Sequence, residues 1–207
     1  MPDGLQLAGA LLVLSALGAI PVGYPPLLRV WSASREDHVR IIAAHRRSWA
    51  ALNAGFVYAT LLTAAGLAAL AASREGDAGR TAALWGIAFI YAIAGTLWCA
   101  VLAIRTRSTP ALQDTGAIEA PPAAPEILLH AATGAMFAAF VLITGAALAA
   151  LGAVLLVAGG VAGPVAGICL IVGLAAIAIQ LATGDFIPAV LYLPTVLVGV
   201  ALLVGWT

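Results

Sequence analysis

The chain has 207 residues, of which 63% are apolar and 9% are charged. Soluble domains carry about 25% charged residues, so this composition excludes an ordinary soluble domain. Nine acidic residues balance nine basic ones, all of them arginine, and the net charge of zero argues against nucleic-acid binding. An arginine-only chain rich in alanine and glycine is typical of a GC-rich bacterial genome.

Six long apolar runs follow one another along the chain, separated by short polar breaks. A helix of about 20 apolar residues crosses the bilayer core, where only helices and closed barrels satisfy their own backbone groups. The runs are continuous rather than alternating, which favours helices over barrel strands. They cover residues 5–28, 49–72, 82–104, 127–157, 163–183 and 186–206. We predict an all-α integral membrane protein with six transmembrane helices, folded as a single transmembrane domain over residues 1–207.

The first polar loop predicts the start of a helix. Ser34 is an expected N-cap, because acidic residues follow it in the first turn. No glycine or proline interrupts the helical pattern from there into the second run, so we expect one helix over about 35–72. The alternative is a separate interfacial helix over 35–47.

The third polar segment, residues 105–126, is rich in proline. We predict an extended cytoplasmic linker, partly disordered, which ends where Pro125 and Glu126 open the fourth helix. The fourth run has 31 residues, and we expect a single long helix because a split would leave two segments too short to cross the bilayer.

A shift of 81 residues aligns the second run with the fourth. Residues 50–71 match 131–152 at eleven of 22 positions, including Phe56 with Phe137 and Thr63 with Thr144, although six of the matches are alanines. The same shift matches positions in the third and fifth runs. One interpretation is a pseudo-twofold four-helix bundle of spans two to five, with spans one and six flanking it. The other is that alanine-rich helices resemble each other.

Arginine placement predicts the orientation of the chain. The first, third and fifth loops hold seven arginines, and the second and fourth hold two. We therefore predict a multi-pass protein of the inner (plasma) membrane, with loops one, three and five in the cytoplasm and both termini outside. Small residues at Gly163-x-x-x-Gly167 and Ala88-x-x-x-Ala92 predict close helix packing, within the chain or against a partner.

The polar residues that could form a site gather at the predicted cytoplasmic boundary of the membrane. A ligand-binding set is expected at the entrances of spans two and four and in the turn between spans five and six. Its members are His45, Arg46, Trp49, Asn53, His130 and Asp185. Glu126 and His130 are four residues apart and share a helix face.

Three ligands suit these residues. His45 and His130 could be axial ligands of haem b, and His45, Glu126 and His130 could hold a divalent metal. The arginines with His45 could hold a lipid head group or a quinone. Against these stand ordinary roles: histidines solvated at a helix end, an acid that offsets a helix dipole and arginines that set topology.

No Ser-His-Asp arrangement, P-loop, zinc-protease motif or dinucleotide fingerprint is present, which favours a non-enzymatic role. We expect an accessory or assembly component of the membrane. Its expected partners are membrane lipids and either another membrane protein or a second copy of itself. The first alternative is the binding or passage of a lipid, quinone or other hydrophobic small molecule at the inner leaflet. The second is a haem- or metal-dependent redox protein that uses His45 and His130.

Overall fold

The computed structural model describes residues 4–18, 25–73, 77–114, 124–158, 161 and 163–206. Over these residues the chain is helical, and no strand is found among them, which confirms the predicted all-α class. The helices are α1 (Gly4–Ser15), α2 (Pro25–Leu28), α3 (Arg35–Ala44), α4 (Arg46–Ala72), α5 (Ala78–Asp114), α6 (Ala124–Ala158), α7 (Gly163–Thr183) and α8 (Leu193–Leu203). Short 3-10 helices span Arg29–Ser32 and Pro188–Tyr192.

Four helices, α4 to α7, are long and apolar enough to cross a membrane, as expected for a membrane protein. The first and last apolar runs form shorter helices, Gly4–Gly18 and Pro188–Leu203. Fifteen residues of helix rise about 22 Å, less than the bilayer core of about 30 Å. The predicted count of six spans is therefore not confirmed. Residues 19–24, inside the first run, lie outside the described residues.

The long and short helices are arranged as a ring. In order around it, α1 contacts α4, α4 contacts α5, α5 contacts α6, α6 contacts α7, α7 contacts α8, and α8 contacts α1. The predicted four-helix bundle with the first and last spans outside it is not confirmed, because α1 and α8 lie between α4 and α7. The close approach of α1 and α8 depends on two glycines. A Cβ at Gly9 would lie 2.9 Å from the Gly199 carbonyl oxygen, and a Cβ at Gly199 would lie 2.8 Å from the Gly9 carbonyl oxygen.

The predicted continuous helix over 35–72 is wrong, and the alternative of a separate first helix is confirmed. The chain breaks at His45, which has φ −123° and ψ 37° and ends α3 before α4 begins. Ser34 caps α3 as predicted, accepting a hydrogen bond from the backbone of Asp37. The break lets α3 turn and pack against α5, which buries Val39 and Ile42.

The predicted linker between spans three and four is partly helical. Residues 105–114 form the last turns of α5, and residues 115–123 lie outside the described residues. Pro110 lies within α5, which continues past it to Asp114. The predictions for the other end of the linker are confirmed: α6 begins at Ala124, has Glu126 in its first turn and continues as one helix.

An aromatic cluster fills the ring at the depth of Trp98, which is 1% exposed. Its indole stacks on Phe140 at 5.0 Å between ring centroids and meets Phe56 edge-on at 5.9 Å. Phe56 in turn stacks on Tyr192 from the last 3-10 helix. Trp98 therefore packs against side chains from two neighbouring helices, α4 and α6.

Candidate functional site

Trp49 and Arg105 hold α4 against α5 at one end of the ring, the predicted cytoplasmic end. The Trp49 indole N–H donates to the Arg105 carbonyl oxygen at 3.2 Å, and the Arg105 guanidinium lies 5.4 Å above the Trp49 ring. Asn53 donates its amide to the Trp49 carbonyl oxygen at 2.8 Å, within its own helix. Trp49, expected at the membrane interface, is 1% exposed and therefore belongs to the packed interior.

His38 joins this pair from α3. Its ring meets Trp49 edge-on at 6.3 Å between centroids, and its Nδ1 lies 3.2 Å from the Val30 carbonyl oxygen. Burial lowers the pKa of His38; the Val30 bond raises it, and nearby Arg105 lowers it further. Sequence reasoning did not place His38 in the site, because its contact with Trp49 depends on the chain break at His45.

His45 and Arg46 lie at the junction of α3 and α4. They line a concave surface of about 310 Å³ together with Ala43, Ala44, Arg47 and Ser48. The first turn of α4 contains no acidic residue and receives no side-chain cap. Basic side chains at the positive end of a helix favour an anionic group.

Glu126 and His130 lie in the first turns of α6, where His130 is exposed. In the ring, α5 lies between α4 and α6, so the entrances of the second and fourth long runs are not neighbours. Among the described histidines, cysteines and acids, no group of three could hold a metal ion. The structure therefore does not bring His45, Glu126 and His130 together.

Asp185 lies in the turn that follows α7, at the same end of the ring as Arg105, with which it interacts electrostatically. The Thr183 hydroxyl donates to the Asp185 carbonyl oxygen at 2.8 Å, and the Asp185 carboxylate accepts the Phe186 N–H at 2.8 Å. The first bond holds the backbone of Asp185 in the turn, and the second holds its carboxylate at one end of an open apolar groove of about 500 Å³. The groove is lined by Ile171, Val172, Ala175, Ile179, Thr183, Asp185, Phe186, Ile187 and Val190.

A second feature of α7 is its glycine-containing outer face. A Cβ added at Gly163 or Gly167 would meet nothing within 4 Å in the described structure. Exposed Ile171 and Leu174 continue the same face toward the other end of the helix. In its most apolar stretch α7 is 33% buried, against 44–50% for the other three long helices.

Polar side chains inside the ring form a third feature that sequence reasoning did not assign to a site. The Thr60 hydroxyl and the Tyr192 hydroxyl are 2.7 Å apart. Tyr91 lies close enough to Thr63 and Tyr192 to interact electrostatically, yet its hydroxyl makes no hydrogen bond of normal geometry with the described residues. Tyr192, in the 3-10 helix before α8, reaches Thr60 of α4 from a distant part of the sequence, which the sequence pattern did not predict.

The comparisons with known proteins identify no relative. No family model, curated protein or solved structure matches this chain. Function is therefore inferred from the geometry of the chain itself.

Proposed function

We propose that this chain is a non-enzymatic component of a bacterial inner membrane, with both termini outside, that assembles with a partner helix through the outer face of α7. The observation that carries the proposal is the open pair Gly163 and Gly167. These glycines are the predicted close-packing motif, and no described part of the chain occupies the space beside them.

Gly173, also in α7, shows how a glycine looks where another helix packs directly against it. A Cβ at Gly173 would lie 2.5 Å from the Gly145 carbonyl oxygen and from the Ala149 nitrogen, both in α6. Thus α7 uses Gly173 on its inner side to approach α6 and leaves Gly163 and Gly167 on its outer side. In a bilayer, where lipid tails are as apolar as leucine, helix association depends on such close backbone packing.

A second copy of the chain is the partner to test first, because most soluble homo-oligomers are twofold symmetric and the face can pair with itself. Its two glycines leave a shallow hollow, and Ile171 and Leu174 beyond them supply side chains that can pack into a facing helix. In its most apolar stretch α7 is also the least buried of the four long helices, which leaves much of this stretch open to a partner.

The experiment replaces Gly163 and Gly167 with leucine and counts subunits by single-molecule photobleaching in lipid vesicles. We expect dimers in the wild type and a shift to monomers in the double variant, since leucine at both positions keeps the helices apart. Gly86→Leu on α5 is the matched control, because a Cβ at Gly86 also meets nothing within 4 Å. A wild type that is monomeric, or a double variant as dimeric as Gly86→Leu, would contradict the proposal.

A second candidate function is the binding of a hydrophobic small molecule at the inner leaflet. The groove that ends at Asp185 favours it, because 500 Å³ lies within the range of about 300–1,000 Å³ that small-molecule pockets occupy. Binding is better supported than passage across the membrane, since Trp98 and Phe140 stack in the interior of the ring. Retention of added lipid or quinone by the purified protein, lost when the groove is filled, tests this function.

A further inference from the structure

The groove between α7 and the following turn has one charged group among its lining residues, the carboxylate of Asp185. The other lining side chains are apolar apart from the Thr183 hydroxyl. Ile171, Ile179 and Ile187 are exposed on the outside of the ring, where the bilayer would contact them. A groove of this kind suits a long apolar chain with a cationic head at one end.

The long axis of the groove follows α7. Ile171 marks its end nearer the middle of α7, and Asp185 marks its end beyond the last turn of the helix. Asp185 shares this end with Arg105, the predicted cytoplasmic boundary. An acyl chain of the inner leaflet would therefore run along α7 with its head group at the depth of the carboxylate.

Selection of one lipid over another must depend on the contact between its head group and Asp185. An acyl chain gains little by moving from the bilayer into an apolar groove, because both surroundings are hydrocarbon. A primary ammonium can both neutralise a carboxylate and donate hydrogen bonds to it. A quaternary ammonium cannot donate a hydrogen bond, and a glycerol head group has no cation to pair with the carboxylate.

We propose that the Asp185 groove binds a phospholipid whose head group carries a primary ammonium, as in phosphatidylethanolamine. The inference gives the second candidate function its ligand class and rests on that function. The glycine pair of the assembly face is separate from the groove, because Gly163 and Gly167 lie roughly 130° from the centre of the groove around α7. Ile171 borders both surfaces.

The test is native mass spectrometry of the full chain released from detergent with palmitoyl-oleoyl lipids that differ only in the head group. We expect phosphatidylethanolamine to be retained about two- to fivefold more than phosphatidylcholine or phosphatidylglycerol. Asp185→Asn keeps a side-chain oxygen for the Phe186 N–H and should remove this preference. Ala175→Leu fills the groove and should lower retention of all three lipids, whereas Ala132→Leu, at an exposed position on α6, should not.

Equal retention of the three lipids by the wild type, or a preference that survives Asp185→Asn, would overturn the inference. Retention of a short-tailed quinone instead of the lipid, lost in Ala175→Leu and unchanged in Asp185→Asn, would overturn it while leaving the second candidate function in place. Failure of lipids and quinone alike to bind would overturn both.

Discussion

Gly152 is the position where one added methyl group tests the helix packing most severely. A Cβ there would lie 2.5 Å from the Leu170 nitrogen and 2.6 Å from the Ala166 carbonyl oxygen, both backbone atoms of α7. Ordinary contact begins at 3.4 Å, so α6 and α7 would have to separate by roughly 0.9 Å. Overpacking costs about 1–3 kcal/mol, and alanine recovers about 0.5–1 kcal/mol of backbone entropy. We expect Gly152→Ala to lower the free energy of unfolding by about 1–2 kcal/mol.

The assay is unfolding by SDS in mixed micelles, followed by tryptophan fluorescence, to which the buried Trp49 and Trp98 contribute. Gly86→Ala is the matched control, because its Cβ would meet nothing within 4 Å and only the entropic gain applies. The two substitutions should therefore shift the SDS midpoint in opposite directions. Equal midpoints for Gly152→Ala and Gly86→Ala would refute the reasoning, since they would show that α6 and α7 do not approach as closely as the structure has them.

Two further predictions concern the aromatic interior of the ring and the end of the ring where Trp49 and Arg105 lie. Trp98→Ala should lower the free energy of unfolding by about 3 kcal/mol through lost packing, measured by a thiol-reactive dye at buried Cys169 in a Cys99→Ala background. His38→Asn should flatten the dependence of melting temperature on pH. Because the folded pKa of His38 is lowered, its neutral ring contributes stability that is complete above about pH 6.5 and is lost as the pH falls below it.

Each of these predictions has a control in the chain. Trp206 is 57% exposed, so Trp206→Ala should change stability little, and a similar loss in both tryptophan variants would contradict the packing argument. His130 is exposed, so His130→Asn should keep the wild-type pH dependence between pH 8 and 5. If His38→Asn melts with the same pH dependence as the wild type, the neutral state inferred for the half-buried His38 ring is wrong.

The helical class and the long apolar helices followed from the sequence because hydropathy and length are local properties. The N-cap at Ser34 and the start of α6 within one residue of Pro125 followed from local chemistry as well. The last apolar run shows the limit of this reasoning. Its first residues form a 3-10 helix that begins at Pro188, so the run is apolar throughout and yet yields only a short α-helix.

The break at His45 could not be predicted because no glycine or proline marks it. It is explained by tertiary packing, since Ile42 becomes fully buried only when α3 turns against α5. Tertiary packing also explains why the predicted site residues lie apart. His45 and His130 both lie near the entrances of their runs, but the order of helices in the ring places α5 between α4 and α6.

The candidate site therefore divides into parts that the sequence could and could not indicate. Asp185 was predicted from its place in a short turn, and the groove beside it depends on how that turn folds back on α7. The cluster of His38, Trp49 and Arg105 needs contacts between three helices, which periodicity does not encode. Gly163 and Gly167 were found by their spacing, but only the structure distinguishes them from the occupied glycines of the same hairpin.

Disulfide cross-linking in native membranes tests the proposed assembly face most directly. Single cysteines at Ile171 and Leu174, in a background with Cys99 and Cys169 replaced by alanine, are compared with one at Phe89 on α5. All three positions are exposed, at 67%, 54% and 68%. The proposal predicts oxidised dimers from the two α7 positions and monomer from Phe89. Dimers from Phe89 alone, or none from either α7 position, would contradict it.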